Sequence, residues 1–387
     1  MRNGFKVWDT DTHLRPTLEV LEPYYDARLR SRLPELEQYR RVIKPEGDER
    51  STRTPGNHDY NFPGYVTYLR RLGQAGPSDG PKDRTVKKFM GSRQPSVGTE
   101  DADVEARIRD MDEEGVDVQL LVPGAPKPTL LHDAELEIGF VQAYNRFAKD
   151  FCCHYPHRLK ALLPVLPAAI GDCVAEIKKY AGEPWLVGVW PMVGNDHPLD
   201  HPDLEPVWAA ANEAGLAVVH HSVANTPPYY PGYLDLWDNA LLGRAAAHPW
   251  GAMRAIGAFV GAGILERYKA LRFGVLECGC GWLPFWSRRL DDQAAYLGGT
   301  AELRQTFGEQ LSGGRFFASI EVAEGEDMIK MVADFMGPDV LMYASDYPHP
   351  ECHFPESVAH FLEWQTLGDD LRRKVLWDNP VKFYGQP

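Results

Sequence analysis

An eight-stranded β/α barrel is the fold class the sequence predicts, and three observations carry it. Eight short β-rich runs alternate with helical segments along the 387 residues. Each run is nearly continuous in apolar residues, as parallel strands covered on both faces are. Four of the runs end in side chains that bind metals or move protons: Asp11 with His13, His221, Glu277 and Asp346. Barrels of this kind collect their chemistry at the C-terminal strand ends, and about 250 residues plus insertions suffice to build one. The chain therefore reads as a single domain over residues 1–387, with residues 31–100 as an inserted arm or lid.

The runs follow in order. The first spans Phe5 to Asp11, and its tip reads Asp9-Thr10-Asp11-Thr12-His13. Strand alternation would turn Asp9, Asp11 and His13 to one face. Residues 31–100 come next, rich in Arg, Lys, Pro and Gly, with Arg70, Arg71, Lys87 and Lys88 among the basic positions. Insertions of that length cap pockets or wrap partners, although a solvated basic face is the plainer reading. Val104, Ile108 and Met111 then mark a helix stopped by Gly115, and Val116–Val122 is the second run. A helix over residues 133–155 leads to the Leu162–Leu166 run. One over residues 173–181 leads to Val187–Trp190. Leu204, Val207, Trp208 and Ala211 mark the next, closed by Gly215 before Leu216–His221. Residues 252–265 are helical and precede Leu271–Glu277. A helix with Trp282, Phe285 and Leu290 and a small insertion lead to Phe316–Glu321. The helix of Met328, Val332 and Phe335 leads to Val340–Asp346.

Composition narrows the function. Lys plus Arg is 41 and Asp plus Glu is 55, so the formal charge is 41 − 55 = −14. That excess argues against nucleic acid or an anionic membrane surface as partner. None of the six cysteines forms a paired C-x-x-C zinc pattern, and the set does not resemble a secreted disulfide framework. Met1 is followed by polar residues, unlike a signal peptide, and no apolar run approaches membrane-span length. The expected location is cytoplasmic.

Asp11, His13, His221 and Asp346 are the candidate metal ligands. Two carboxylates and two imidazoles neutralise a divalent ion and leave room for water or substrate; zinc is the first expectation and manganese the alternative. His220 and His221 are adjacent, so one of them faces the interior, and alternation does not decide which. Asp346 is a candidate proton carrier too, against the plainer role of a helix cap. Glu277 is a candidate acid or base beside the ion; its plainer role is a buried salt bridge to Arg289. His248 and His349 lie on loops at the same end as the ligands. Tyr229, Tyr230, Trp237, Trp250 and Trp282 offer aromatic surface, and Arg254 and Arg289 could clamp a carboxylate.

Taken in order, the motifs resemble a known family. They are Asp9-Thr-Asp11-Thr-His13, Met111-Asp-Glu-Glu-Gly115-Val-Asp117, Ala143-Tyr-Asn145, Pro156-His-Arg-Leu159, and Val207-Trp-Ala-Ala210 leading to His221. Gly281-Trp-Leu-Pro-Phe285 with Arg289-Leu-Asp291, Ser345-Asp-Tyr-Pro-His349, Asp378-Asn-Pro380 and Tyr384-Gly385 complete the set. The sequence is similar to the amidohydrolase-related (amidohydrolase 2) branch typified by aminocarboxymuconate semialdehyde decarboxylase and γ-resorcylate decarboxylase. The resemblance covers most of the chain outside residues 31–100. It implies a barrel whose ion is held by Asp11, His13, His221 and Asp346, favours His221 over His220, and implies a homodimer. Two positions depart from the pattern. Asp11 stands where His or Glu is usual, and Glu277 stands where the characterised decarboxylases carry a strand-six His. Three functions stay open: non-oxidative decarboxylation of a small carboxylated aromatic or unsaturated acid, metal-dependent hydrolysis or hydration with Glu277 or Asp346 as base, and non-catalytic binding.

Overall fold

The structure is a computed structural model that describes residues 1–43, 52–60, 90–124, 133–194, 197–222, 240–298 and 301–387. Ten strands are numbered in chain order. β1 (Trp8–Leu14), β4 (Val118–Pro123), β5 (Leu159–Val165), β6 (Leu186–Pro191), β7 (Ala217–His221), β8 (Phe273–Leu276), β9 (Phe316–Ser319) and β10 (Leu341–Met342) form one sheet in that order. Every neighbouring pair in it is parallel. The two edges meet. Thr10 N–H donates to Tyr343 O at 3.0 Å, Asp346 N–H to Asp11 O at 3.1 Å and His13 N–H to Tyr347 O at 2.8 Å. The Thr10 hydroxyl adds a bond to Tyr343 O at 2.8 Å. The result is the expected (β/α)8 barrel.

All eight runs are strands, with the first displaced. β1 begins at Trp8 instead of Phe5, because Arg2 and Phe5 exchange backbone hydrogen bonds across a turn at Asn3 and Gly4. The helices keep their expected order, and Gly115 ends the helix Val104–Glu114 in the left-handed conformation, φ 85°. Between the helix Leu283–Leu297 and β9, the small insertion carries a helix of its own, Phe307–Ser312. In the arm, β2 (Arg40–Val42) and β3 (His58–Tyr60) pair antiparallel. Three-residue strands are too short to leave a periodic trace in sequence. Arg70, Arg71, Lys87, Lys88, Tyr229, Tyr230 and Trp237 lie outside the described residues.

Apolar residues fill the space between the barrel and its helices. Phe259 stacks on Phe273 at 4.4 Å between centroids, and Trp208 meets Phe259 edge-on at 5.2 Å. One buried cation fixes the tip of β1. The Arg107 guanidinium donates to Gln119 Oε1 (2.7 Å), Thr12 Oγ1 (2.7 Å) and the carbonyls of His13 (2.8 Å) and Thr99 (3.1 Å). Buried charge is tolerated only when its hydrogen-bonding capacity is met in this way. The returning end of the arm is tied to the loop after β10. Tyr347 donates to Asp110 and receives from Thr99, both at 2.6 Å, and Met90 N–H donates to Pro350 O at 2.9 Å. Among the described residues, no helix is long and apolar enough to cross a membrane.

Candidate metal centre

The site is built at the seam where β1 meets the residues after β10. β1 carries an extra residue between Asp9 and Thr12 relative to β4, a bulge. Bulges re-aim side chains, and here strict alternation fails. Asp9 does not join Asp11 and His13. It accepts hydrogen bonds from the backbone (3.0 Å) and hydroxyl of Ser345, across the seam.

Asp11, His13 and His221 come together, their ligand atoms all within 4.8 Å of one another and all three side chains buried. His221 Nε2 lies 3.3 Å, and His13 Nε2 3.7 Å, from Asp11 Oδ1. Asp346 Oδ1 lies 2.9 Å from His13 Nε2. Alternation at the end of β7 turns His220 the other way, with Nε2 3.2 Å from the Ser222 hydroxyl. Asp11 Oδ1, His13 Nε2, His221 Nε2 and Asp346 Oδ1 are all buried, and their nearest partners are one another, Glu277 and His349, none in good hydrogen-bond geometry. Polar atoms so enclosed are costly unless something else binds them. Ligands that share one ion at roughly 2.1 Å stand roughly 3–3.5 Å apart, close to the spacings seen. The donor set therefore fits a divalent cation.

Glu277 closes the cluster. Its Oε2 is 2.9 Å from His221 Nε2 and 4.0 Å from His13 Nε2, and its Oε1 is 3.7 Å from His248 Nδ1. The backbone at Glu277 is left-handed, φ 50°, as is Asp346 at φ 62°. A residue with a Cβ gives up about 1–2 kcal/mol in that region. Among the described residues, two of the three non-glycine residues in this state lie at the site, where such strain is typically held in place by its surroundings.

Charge is dense here. Burial opposes protonation of His221, but Asp11 and Glu277 outweigh it and hold the imidazolium well above its usual range. Burial pushes the Glu277 carboxyl up, yet His221 draws it down to about 2. His349, whose Nδ1 is 2.7 Å from Asp346 Oδ1, is lifted to about 9 by Asp346 against the effect of burial. Protons on these rings stand where a cation's charge would otherwise be.

The substrate-contact candidates divide. His349 is closest, stacked on His13 at 4.0 Å between ring centroids. His248 is buried beside Glu277, its carbonyl held by the Ser222 hydroxyl at 2.8 Å. Trp282 is half-buried, and its indole N–H spans the carbonyls of Cys278 (2.8 Å) and Gly279 (3.1 Å). Arg254 is half-buried on the helix Ala240–Gly261, and Trp250 on the same helix is 50% exposed. Arg289 is exposed and pairs with Asp292 at 3.3 Å, so the salt bridge imagined between Arg289 and Glu277 is not formed. Sequence reasoning passed over Glu321, just beyond β9, and Glu324, which both bond to the loop after Glu277. The strand-end rule that singled out Asp11 and Asp346 applied to Glu321 equally well.

The family model described as Amidohydrolase matches residues 9–386. Among solved structures, 5-carboxyvanillate decarboxylase from Sphingomonas paucimobilis aligns with 99% of this chain and 100% of its own at 20% identity, TM-score 0.67. The corresponding enzyme from Novosphingobium aromaticivorans, complexed with manganese and 4-hydroxy-3-methoxy-5-nitrobenzoic acid, gives 20% identity over 99% and 97% of the two chains, TM-score 0.68. The 2,6-dihydroxybenzoate decarboxylase from Rhizobium gives 17% identity over 74% and 89%, TM-score 0.60. At these identities the likeness is one of fold.

Proposed function

The chain belongs to the amidohydrolase family, and on that premise we propose that it is a metal-dependent carboxy-lyase acting without oxidation on a small carboxylated aromatic or unsaturated acid. One observation carries the reading: Asp11, His13 and His221 cluster with their ligand atoms within 4.8 Å of one another, and Glu277, 2.9 Å from His221, stands beside them as a proton carrier. Decarboxylases among the fold neighbours support the same chemistry.

Asp11, His13, His221 and Asp346 would hold one divalent ion. Zinc suits the imidazole and carboxylate donors, and the manganese bound by a neighbour makes that metal the alternative. When bound, the ion supplies a Lewis acid for the substrate carboxylate and an adjacent oxygen. Glu277, ionised beside His221, would first take up a proton from solvent and then pass it to the carbon bearing the carboxylate, with Asp346 as the other candidate carrier. The carbon–carbon bond then breaks, its electron pair restores the unsaturated system, and CO2 leaves. Solvent returns the proton to Glu277, and nothing is oxidised or reduced. His248 (3.7 Å from Glu277), His349 (stacked on His13) and Trp282 would orient the substrate, and Trp250, Arg254 and Arg289 are the remaining candidate contacts.

Hydrolysis or hydration is the second reading. It is favoured by a carboxylate at the end of β8, where the resembling decarboxylases carry His. The deciding experiment incubates the Mn2+- and Zn2+-loaded protein with hydroxybenzoates in D2O. Ring deuteration with CO2 release supports the lyase. Turnover of esters or lactones without CO2 supports the hydrolase, and tight binding without turnover supports a binding protein. The six cysteines, all free thiols, fit the cytoplasm. A homodimer is the assembly implied by the resemblance, and sedimentation velocity tests it.

A further inference from the structure

Between β8 and the helix Leu283–Leu297 the backbone turns sharply through Glu277-Cys278-Gly279-Cys280-Gly281. Two carboxylates from the loop after β9 hold the amides of this turn. Glu321 Oε1 accepts the Gly279 N–H at 3.1 Å. Glu324 accepts the Cys280 N–H on both oxygens at 2.9 Å and the Gly281 N–H at 2.9 Å. Glu324 also accepts the Glu321 N–H at 3.3 Å, and the two acids close on each other as a capping box. The glycines make room for this grip. A Cβ at Gly279, where φ is 62°, would stand 2.8 Å from Glu324 Oε1. One at Gly281 would stand 2.5 Å from Met328 Sδ and 3.3 Å from Glu324 Oε1. Trp282 grips the turn through its carbonyls, as described above, and the Ser319 hydroxyl accepts the Glu277 N–H at 3.3 Å.

We propose that Glu324, assisted by Glu321, is a positioning residue that clamps this turn and thereby keeps Glu277 left-handed with its carboxylate on His221. The assignment rests on reading Glu277 as the proton-transfer group. A carboxylate suits the task because both of its oxygens accept hydrogen bonds. Glutamine keeps one acceptor and turns its NH2 toward donors, whereas alanine leaves the amides without the clamp.

Crystal structures of the Mn2+-loaded wild type, Glu324→Ala and Glu324→Gln test the clamp directly. In Glu324→Ala, Glu277 should relax to negative φ and its carboxylate should leave His221; in Glu324→Gln it should stay, with a longer contact. Retention of φ near 50° and the 2.9 Å contact in Glu324→Ala overturns the proposal. If that variant does not fold, Gly279→Ala, which drives a Cβ against Glu324, serves in its place. Kinetics supply the second arm. Glu324→Ala should lower kcat by about tenfold to a hundredfold with little change in KM or bound Mn2+, and Glu324→Gln should recover part of it. In a Glu277→Gln background, Glu324→Ala should cost nothing more; an additive loss would make Glu324 merely structural and refute the positioning role. Full activity of Glu277→Gln alone would sink the reading of Glu277, while the crystal structures still decide the clamp.

Discussion

At the scale of single residues, two carboxylates and two neutral imidazoles are what a divalent cation needs for charge balance. If the four proposed donors share one ion, removing any of them weakens the whole set. Asp11→Ala and His221→Ala should each reduce the metal content of purified protein from about one equivalent to near zero, read by elemental analysis; full loading in both would remove the metal hypothesis. Glu277→Gln should keep the ion yet slow turnover by about a hundredfold or more, and a variant as fast as wild type would return Glu277 to a structural role. A different carboxyl controls stability against pH. Burial pushes Glu114 up to about 8; Asp9 and Glu356 act in the same direction, and the Val358 N–H and Arg2 oppose them. The folded protein therefore binds this proton more tightly than the unfolded chain, whose Glu titrates near 4.3. The contribution is complete below that value and is lost as pH rises toward 8. Urea midpoints measured from pH 5 to 8 should fall less steeply in Glu114→Gln than in wild type, and parallel curves would contradict the assignment. None of this was legible in the sequence, because Glu114 lies on an ordinary helix and its carboxylate is met by the Val358 N–H, 244 positions away.

Among the elements, the helix Val104–Glu114 shows what local sequence decides and what it does not. Asp103 caps its start by accepting the Ala106 N–H at 2.7 Å, and Gly115 ends it. Asp103→Ala should cost about 1 kcal/mol, visible as a lower Tm. Gly115→Ala should cost more, since a Cβ there would face both the left-handed penalty and Arg2 Cβ at 2.8 Å; equal losses in the two variants would contradict the contact. Such stop signals were readable from residue type alone. The bulge in β1 was not, and it separates Asp9 from the pair it seemed to belong to. Nor was the left-handed turn at Glu277, whose cause is a pair of acids more than forty positions away.

Over the whole molecule, the barrel was legible because buried parallel strands write near-continuous apolar runs and glycine punctuates the helices between them. The meeting of Asp11, His13 and His221, with Asp346 beside His13, then followed from closure, since strand ends of a barrel share one rim. The arm was opaque for the opposite reason. Its strands are minimal, and its hold on the molecule runs through distant partners, such as the Ser92 N–H on Glu356 at 3.1 Å. The seam has an energetic corollary. An ion bridging β1 to the residues after β10 binds the native state alone, so at a hundredfold excess over Kd it should add about 2.7 kcal/mol of stability. Chelation should lower Tm, with hydrogen exchange rising first along β1 and β10; an unchanged melting curve would mean that the ion does not bridge the seam.

The seam joins residues far apart in the chain, with Asp9 and Ser345 separated by 336 positions. During synthesis β1 leaves the ribosome long before its partner across the join emerges. No stage of translation before Asp346 emerges can present all four proposed donors, so on this assignment cation uptake has to wait for that residue. A product terminated before Asp346 would lack the proposed fourth donor however well the barrel strands before it had assembled.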